Sequence, residues 1–431
     1  MTRDEWFGVP PDGWLSAPLG YYFDVALGKM LNASKDPGDG NSAPYLAAGS
    51  IQPEHLILDE TKTMAFSREE LVQYALRKHD VVVVEGGAGY GRSYLLRDDL
   101  PGWGFQNHVA RLRGRGPVAP GFLLYCLKAC LASGYIEANN RTATLPSLSR
   151  DALRSIPVPM PPLEEQRAIA DYLDRETARI DTLIEEQQRL IEMLRERRES
   201  VITRTVTRGL KPGIPTTDAG VATLDHVPQH WQIVRIKNVG RALIGLTYAP
   251  EDVVDEGEGG TLVLRAGNIQ NGRLALGDNV YVNGKVPTDL RLRLGDIVIC
   301  ARNGSPKLIG KNAVATEAVV GQTWGAFMVV LRSPINGYLR WVLNSQIFRS
   351  QTGLFSTATI NQLTSATLHN LRFALPPADE QRRIAAYLDE QTAKIDMLIE
   401  ESGRFVELAR ERRAALITAA VTGQIDVREV A

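Results

Sequence analysis

The sequence predicts an α+β protein in which two mixed α/β globular units alternate with two long helices. Three observations support this prediction. The second half of the 431-residue chain repeats the first, each half contains a long amphipathic segment, and the remaining sequence alternates short β-rich runs with Gly, Asn and Pro turns. The composition, with 44% hydrophobic and 23% charged residues, is typical of a folded globular protein.

The two halves of the chain are related by a duplication with an offset of 215 residues. Residues 161–207 align without a gap to residues 376–422, and 28 of the 47 aligned residues are identical. Weaker similarity continues upstream, where DVVVVEGG from Asp80 resembles DIVICARN from Asp296. Repeats of solenoids and propellers are about 20 to 50 residues long, so this repeat indicates a duplicated domain with its connector. The predicted segments are 1–157, 158–211, 212–375 and 376–431.

The globular units, 1–157 and 212–375, are predicted to be mixed α+β domains. Short apolar runs such as Asp80–Val84 and Asp296–Cys300 are typical of strands, and Gly, Asn and Pro separate them. A helix-like stretch follows in each unit, at 121–133 and 337–350. A long acidic, Gly-rich segment from Glu251 in the second unit is predicted to be a solvated loop.

A single long helix is predicted in each of the other two segments. Residues 163–205 contain neither Gly nor Pro, and their apolar side chains recur at spacings of three and four. About 43 residues at 1.5 Å per residue give a rod of about 64 Å. Gly403 weakens the middle of the second helix. The predicted stripes are Ile169, Leu173, Ile180, Leu183, Leu190, Leu194 and Val201, and Ile384, Leu388, Ile395, Leu398, Phe405, Leu408 and Leu416.

The two helices are predicted to bury their stripes against each other as an intramolecular antiparallel coiled coil. Each helix follows its own globular unit, so this pairing gives pseudo-twofold symmetry and holds the units apart, with the helix length as a ruler. The alternative is that each helix packs on its own unit. A rod of about 64 Å overhangs a domain of about 150 residues, whose radius of gyration is about 15 Å, so the pair is favoured.

Catalytic, metal and membrane motifs are absent from the sequence. Three cysteines, Cys126, Cys130 and Cys300, form neither a CxxC pair nor a disulfide framework, which predicts buried thiols in a cytoplasmic protein. The most apolar run, 121–136, is shorter than a membrane span of about 20 residues. The segment that ends in Gly91, Arg92 and Ser93 resembles a phosphate loop but lacks the following helix, so a Gly-rich hairpin is favoured.

The net charge of the chain, −1, argues against a nucleic-acid partner only as an average. The segments differ: 212–375 has a net charge of +4, 376–431 has −3, and the other two have −1 each. Arg residues are locally dense in the first unit, at ARLRGRG. Because Arg binds guanine, and Asn and Gln bind adenine, polar side chains on Gly-flanked loops are candidates for reading DNA.

With these features the chain resembles the specificity subunit of type I restriction-modification systems. The resemblance lies in PPLEEQRAIADYLD from Pro161 and PPADEQRRIAAYLD from Pro376, each followed by a TAxIDxLIEE run. The strand-and-loop segments from Asp80 and Asp296 and the TAT segments that begin at Thr142 and Thr357 are also similar to pieces of target-recognition domains. The resemblance covers essentially the whole chain.

The resemblance implies a non-catalytic subunit with two target-recognition domains. Each domain reads one half of a bipartite, asymmetric site in double-stranded DNA, while the helix pair sets the spacer and docks two methyltransferase subunits. The chain itself then holds no cofactor. S-adenosylmethionine belongs to the methyltransferase subunits, and ATP and Mg²⁺ belong to the restriction subunits, which are further expected partners.

Two sets of residues are candidates for these contacts. Loop chemistry nominates as DNA contacts Tyr90, Arg92, Ser93, Arg111 and Arg113 in the first unit, and Arg302, Asn303, Ser305, Lys307 and Lys311 in the second. Alternatives are turn packing for Tyr90 and an ion pair for Arg113. The helices provide partner or coiled-coil contacts at Glu165, Gln166, Ile169, Tyr172, Leu173, Ile180, Leu183, Glu380, Gln381, Ile384, Tyr387, Leu388, Ile395 and Leu398. Tyr172 and Tyr387 fit a coiled-coil core equally well.

Two other functions remain as alternatives to DNA recognition. A structural adaptor that assembles other proteins without reading DNA needs the helices but no DNA-reading loops. An enzyme with an unrecognised site is the third possibility. DNA footprinting separates the first function from the other two.

Overall fold

A computed structural model describes residues 6, 8–30, 41–87, 89–138, 147–354 and 362–427. The TAT triplets at 142–144 and 357–359 lie outside these ranges. The chain forms two compact units that differ from the predicted segments, because each unit contains part of both long helices. Unit 1 comprises Met1–Gln187 and Arg404–Ala431, and unit 2 comprises Gln188–Gly403.

The two long helices are continuous: α6 spans Leu163–Arg208 and α10 spans Ala378–Val421. Gly403 does not interrupt the second. The shorter helices are α1 Leu19–Tyr22, α2 Arg68–Gln73, α3 Pro120–Ala132, α4 Tyr135–Ala138, α5 Arg150–Ser155, α7 Asn336–Leu343, α8 Gln346–Leu354 and α9 Ser365–Asn370. Short 3₁₀ helices occur at Ala48–Ser50, Ile236–Asn238, Pro250–Asp252, Ala266–Asn268, Thr288–Leu290, Pro306–Leu308 and Glu317–Val319.

The strands of unit 1 are β1 Leu15–Pro18, β2 Phe23–Leu27, β3 Asn41–Leu46, β4 Thr63–Phe66, β5 Val81–Val84, β6 Ser93–Leu95, β7 Gly104–Phe105, β8 Val109–Gly114 and β9 Pro157–Met160. The strands of unit 2 are β10 Thr216–Val221, β11 Leu224–Pro228, β12 Gln232–Arg235, β13 Arg241–Ile244, β14 Val253–Val254, β15 Thr261–Leu264, β16 Ile269–Gln270, β17 Arg273–Leu274, β18 Tyr281–Val282, β19 Ile297–Cys300, β20 Asn312–Val314, β21 Thr323–Trp324, β22 Met328–Arg332 and β23 Arg372–Leu375.

The main sheets of the two units have the same topology. Unit 1 has the antiparallel order β2-β8-β5-β6, and unit 2 has β13-β22-β19-β20. In each unit a parallel pair, β3 with β7 or β15 with β21, belongs to a second sheet. A further antiparallel pair, β1 with β9 or β12 with β23, precedes the long helix. The duplication seen in the sequence is therefore a duplication of fold.

The central strand of each main sheet is apolar throughout because both of its faces are covered. In β5, Val81 and Val83 face a core that contains helix α3, whereas Val82 and Val84 face the core beneath the second sheet. The strand β19 divides in the same way between two clusters. The predicted apolar runs are thus buried central strands. The thiols of Cys126, Cys130 and Cys300 are also buried, and burial raises the pKa of each.

The long helices run antiparallel within each unit. In unit 1 the start of α6, at Leu173, shares a core with the end of α10, at Val421, while Ile184 packs with Val406 farther along. The predicted antiparallel pair is confirmed. The alternative also holds in part, because both helices pack on the globular core of the unit.

Unit 2 shows the same antiparallel pairing at the other end of each helix. The end of α6, at Ile202 and Val206, shares a core with the start of α10, at Ile384 and Leu388.

An ion pair between the helices occurs at equivalent positions in both units. The Arg413 side chain pairs with Asp181 in unit 1 at 2.9 Å. In unit 2, Arg198 pairs with Asp396 at 2.8 Å. Arg198 lies 215 residues before Arg413, and Asp396 lies 215 residues after Asp181. Because the two pairs occupy matching positions of the repeat, they define one register for the antiparallel helices.

Candidate nucleic-acid interface

A buried aspartate at the start of the central strand anchors each main sheet. Asp80 is 1% exposed and accepts from Arg113 Nε and Nη2 at 2.7 Å each. In unit 2, Asp296 is 3% exposed and accepts from Arg332 at 2.9 and 2.6 Å. Each aspartate also accepts a backbone N–H from the residue three positions earlier, at 2.8 and 2.9 Å. We call these buried ion pairs, Asp80 with Arg113 and Asp296 with Arg332, the charged frame of each unit.

The opposite end of each central strand leads into the segments that the sequence nominated. In unit 1, residues 85–92 connect β5 to β6 as a Gly-rich hairpin, and Glu85 N–H donates to the carbonyl of His108. In unit 2, residues 301–311 connect β19 to β20, and the N–H groups of Ala301 and Arg302 both donate to the carbonyl of Phe327. We call these two loops, with His108 and Phe327, the tips.

The hairpin in unit 1 explains the apparent phosphate loop. Ser93 begins strand β6 rather than a helix, so the N–H groups that cradle a phosphate in such loops are not available in that arrangement. The prediction of a Gly-rich hairpin is confirmed.

The structure contradicts the predicted DNA contacts of three residues in unit 1. Ser93 is 4% exposed in β6, and Arg111 is 5% exposed, with its guanidinium bound to the carbonyls of Gln73 and Ala75. Burial lowers the pKa of Arg111, with a further contribution from neighbouring Arg113. Arg113 belongs to the charged frame, and its hydrogen bonds to Asp80 raise its pKa. These arginines stabilise the sheet.

The other two nominated residues of unit 1 lie at the tip. Tyr90 is half-buried and packs against the core beside helix α3, which agrees with the turn-packing alternative. Arg92 is half-buried, and its guanidinium lies near Gly89.

All five nominated residues of unit 2 lie at the tip, with Lys311 at the end of the loop. Arg302 and Lys307 are exposed, while Asn303 and Ser305 are half-buried. The Asn303 side chain accepts the N–H of Ser305 and so holds the loop in an Asx turn. Lys311 is half-buried, and its ammonium group donates to the carbonyl of Ile269 at 3.0 Å, so its DNA contact stays a prediction.

Sequence reasoning missed two tip residues, which lie beside the nominated loops in the folded structure. Phe327 is 61% exposed, and the Arg302 guanidinium lies 5.3 Å from the centre of its ring. In unit 1 the equivalent residue is His108, whose Nδ1 lies 3.3 Å from Glu85. The Glu85 carboxylate also accepts from the Ser147 hydroxyl at 2.7 Å. No local motif marks these residues, because the turn that carries them is about twenty residues away from the loop.

The Glu-Gln pair of the helix motif has a structural role. The Gln166 side chain donates to the carbonyl of Pro161 and accepts the N–H of Ala119, at 2.8 and 2.9 Å. Gln381 donates to the carbonyl of Pro376 at 2.7 Å. These bonds join the helix to the chain that enters it. Gln166 is 3% exposed and so is not available to a partner, whereas Gln381 is half-buried and its partner contact stays a prediction.

Glu380 is also engaged within its own unit. Its carboxylate accepts from Trp231 Nε1 at 2.7 Å and lies 3.1 Å from His230. The equivalent Glu165 is half-buried. Of the two tyrosines, Tyr172 is buried in the core of unit 1, whereas Tyr387 is exposed.

The buried stripe of each helix differs from the predicted stripe beyond its first turns. Ile169, Leu173, Ile180, Leu194, Ile384, Leu388 and Ile395 are buried as expected. However, Leu183 and Leu398 are exposed, and Ile184 rather than Leu183 is buried. The seam passes through Thr177 and Thr392, whose hydroxyls bond to carbonyls one turn earlier. An apolar-only pattern omits these threonines and so places the stripe one residue too early.

Several apolar side chains of the long helices are consequently left exposed. Unit 1 exposes Leu183, Phe405 and Leu408, and unit 2 exposes Leu190, Met193, Met397 and Leu398. Leu183, Leu190 and Met193 occupy the same repeat positions as Leu398, Phe405 and Leu408. The same apolar positions therefore stay exposed in both copies of the helix.

In the described ranges no group of three or more His, Cys, Asp and Glu residues has a geometry that would hold a metal ion. Among those same residues, no helix is both long enough and apolar enough to span a membrane.

Two similar domains of this topology, each with its tip loops and joined by two long helices, define a protein with paired recognition domains. Its sequence matches the model of the type I restriction modification DNA specificity domain at residues 11–193 and 228–402. The chain therefore belongs to this family, whose members are the specificity subunits of type I restriction-modification systems. These subunits are generally non-catalytic, and DNA recognition is the function that the family implies.

Two relatives extend this result. The type I restriction enzyme MjaVIII specificity subunit of Methanocaldococcus jannaschii is 21% identical over 97% of this chain and 95% of its own length. The EcoKI specificity subunit of Escherichia coli is 28% identical over 46% of this chain and 44% of its own length.

Two solved structures share the fold. One, from work on complex assembly and conformational transition of the type I R-M system, has a TM-score of 0.74 at 18% identity and covers 97% of this chain and 100% of its own. The HsdS subunit of Thermoanaerobacter tengcongensis has a TM-score of 0.53 at 19% identity and covers 96% of this chain and 98% of its own.

Proposed function

We propose that this chain is the sequence-reading subunit of a type I restriction-modification complex and that each unit reads one half of a bipartite, asymmetric DNA site. One observation carries the proposal: the two units keep the same charged frame while their tips differ in chemistry. Unit 1 presents Glu85 with His108, and unit 2 presents Arg302 with Phe327. A shared scaffold with different tips is what two different half-sites require.

The tip of unit 2 contains the groups that read base edges in a major groove. The exposed Arg302 guanidinium suits the O6 and N7 acceptors of guanine, and a phenyl ring such as that of Phe327 suits the methyl group of thymine. The carbonyl of Phe327 accepts two backbone N–H groups of the loop, so the backbone that carries the exposed ring is fixed before DNA binds. Phe327 and Arg302 therefore contribute to the specificity of one half-site.

The exposed apolar residues of the long helices support a second part of the proposal. Leu183, Phe405 and Leu408 in unit 1, and Leu190, Met193, Met397 and Leu398 in unit 2, form the docking sites of two methyltransferase subunits. Because the same repeat positions are exposed in both copies, two identical partners can each find an equivalent set of contacts. Those partners supply S-adenosylmethionine and modify adenine, and restriction subunits supply the ATP- and Mg²⁺-dependent steps.

The experiment is to sequence methylated bases in cells that express the chain with its methyltransferase. Deletion of the gene should abolish one bipartite adenine-methylation motif. The Phe327→Ala variant should relax one position of a single half-site by about fourfold, since an apolar contact with one methyl group is worth about 0.8 kcal/mol. Leu294→Ala is the matched control, because Leu294 is 62% exposed in the same unit but precedes the opposite end of β19.

The outcomes separate the alternatives. An unchanged set of methylated motifs after gene deletion contradicts DNA recognition and favours the structural adaptor. Equal effects of Phe327→Ala and Leu294→Ala contradict a role of the tip.

The ruler is tested in the same cells. Insertion of four residues in each of α6 and α10, about 6 Å of helix, should lengthen the spacer by one or two base pairs at 3.4 Å each. An unchanged spacer with intact methylation contradicts this part of the proposal.

A further inference from the structure

A groove in unit 2 is lined by cations and by no carboxylate. Its volume is about 720 Å³, and it lies between the end of α6, the following segment 209–214 and the start of the β10–β11 hairpin. The basic side chains in its lining are Arg204, Arg208, Lys211 and His226, and the remaining lining residues are neutral. Thr216 and Tyr387 add hydroxyl groups. The groove is therefore positive, while Arg204, Arg208 and His226 also border a neighbouring cavity whose lining includes Glu196, Glu199 and Asp225.

The cations of this groove are available for a ligand. Arg204, Arg208 and Lys211 are exposed, and none of them has an ion pair within the ranges that the structure describes. Glu380 lies on the adjoining side of the 209–214 segment, but its carboxylate already accepts from Trp231.

The fold does not require positive charge here, because the other copy lacks it. In unit 2, Gly209 ends α6 with a φ of 71° and packs on Trp231. In unit 1, Gly423 ends α10 with a φ of 72° and packs on Trp14 in the same way. Yet at the 215-residue offset the counterparts of Arg204 and Lys211 are Ala419 and Asp426. A need to balance the helix dipole would apply equally to both helix ends.

We propose that this groove binds the phosphate backbone of the DNA, and this inference rests on the proposed function of the chain. Arg204 and Arg208 are one helical turn apart, about 6 Å along the axis, which corresponds to about two phosphates of a strand that carries one every 3.4 Å. Arginine and hydroxyl groups are standard phosphate contacts. These contacts carry no sequence information, so the groove adds affinity and orientation while the tips specify the bases.

The test compares two double variants of the complete complex that each remove two charges from α6. Arg204→Gln with Arg208→Gln changes the groove, while Arg195→Gln with Arg197→Gln changes exposed arginines of the same helix outside it. Binding is measured from about 50 to 200 mM salt on a duplex with the methylated motif and on a scrambled duplex. The groove variant should lower the slope of log K against log salt by about 2, at about 0.9 for each lost phosphate contact. The control variant should leave the slope unchanged.

Three results overturn the inference: an unchanged slope for the groove variant, an equal loss in the control, or loss of the methyltransferase subunit with an unchanged slope. The last result identifies the groove as a docking site for an acidic protein segment. The variant Arg204→Lys with Arg208→Lys keeps the charges and should restore the slope, which excludes misfolding as the cause. The preference for the motif over the scrambled duplex should stay the same in all variants. Equal binding of both duplexes by the unmodified complex contradicts the proposed function instead.

Discussion

The charged frame gives the sharpest prediction about stability. Replacement of Arg113 by Met removes both hydrogen bonds that the guanidinium donates to Asp80, which is 1% exposed. The carboxylate then keeps the backbone N–H of Arg77, at 2.8 Å, as its remaining described donor. Removal of one partner of a buried ion pair costs about 3–5 kcal/mol, because the other charge remains buried without compensation. Arg332→Met should have the same effect in unit 2, where Asp296 is 3% exposed.

A double-mutant cycle isolates this cost. Asp80→Leu with Arg113→Met replaces the whole pair by apolar groups and should be several kcal/mol less destabilising than the sum of the single variants. Urea unfolding of the intact chain provides the measurement, with Arg115→Met as a control. Arg115 is mostly exposed and pairs with Asp24 at the surface, so its loss should cost less than about 1 kcal/mol.

The same variants decide between the two interpretations of Arg113. If it contacted a phosphate, Arg113→Met would leave the unfolding free energy within about 1 kcal/mol of the original and would lower the salt slope of DNA binding by about 1. That pattern would refute the structural role of Arg113 in the charged frame. A large loss of stability with additive single and double variants would also contradict the proposed ion pair.

Three further predictions concern other contacts. Arg198→Asp and Asp396→Arg should each destabilise unit 2 by about 1 kcal/mol, and the combined exchange should recover most of this in thermal unfolding, because the side chains are half-buried and paired. Tyr338→Phe should cost about 1–3 kcal/mol in urea unfolding, because it removes the buried hydroxyl that donates to the carbonyl of Ala374 at 2.8 Å and lies 3.2 Å from that of Val206. The Lys29 ammonium and a backbone N–H lower the pKa of Glu70. The ionised Glu70 therefore stabilises the fold fully above its ordinary pKa, and this stabilisation is lost as the pH falls through the lowered pKa. Glu70→Gln should flatten the acid side of a plot of unfolding free energy against pH. An unchanged plot would contradict this prediction.

The candidate site was only partly predictable from the sequence. Loop chemistry correctly placed Arg302 and Lys307 on the surface, since Gly, Asn and Pro mark the turn that carries them. The same reasoning wrongly nominated Arg111. The sequence alone does not show that this arginine lies in strand β8 rather than in a loop, because that depends on which strands pair with it. Phe327 was missed because an aromatic residue beside an apolar strand normally continues the core.

The sequence by itself determined the duplication, the two long helices and the apolar central strands. These features follow from local periodicity and from identity between the halves, which need no information about distant contacts. The tertiary structure decided which face of each helix is buried, because threonines complete the seam and leave Leu183 and Leu398 outside it. It also decided that Arg113 stabilises the sheet while Arg302 faces solvent. The physical reason is that burial and charge pairing depend on residues far apart in the chain, such as Asp80 and Arg113, which only the folded backbone brings together.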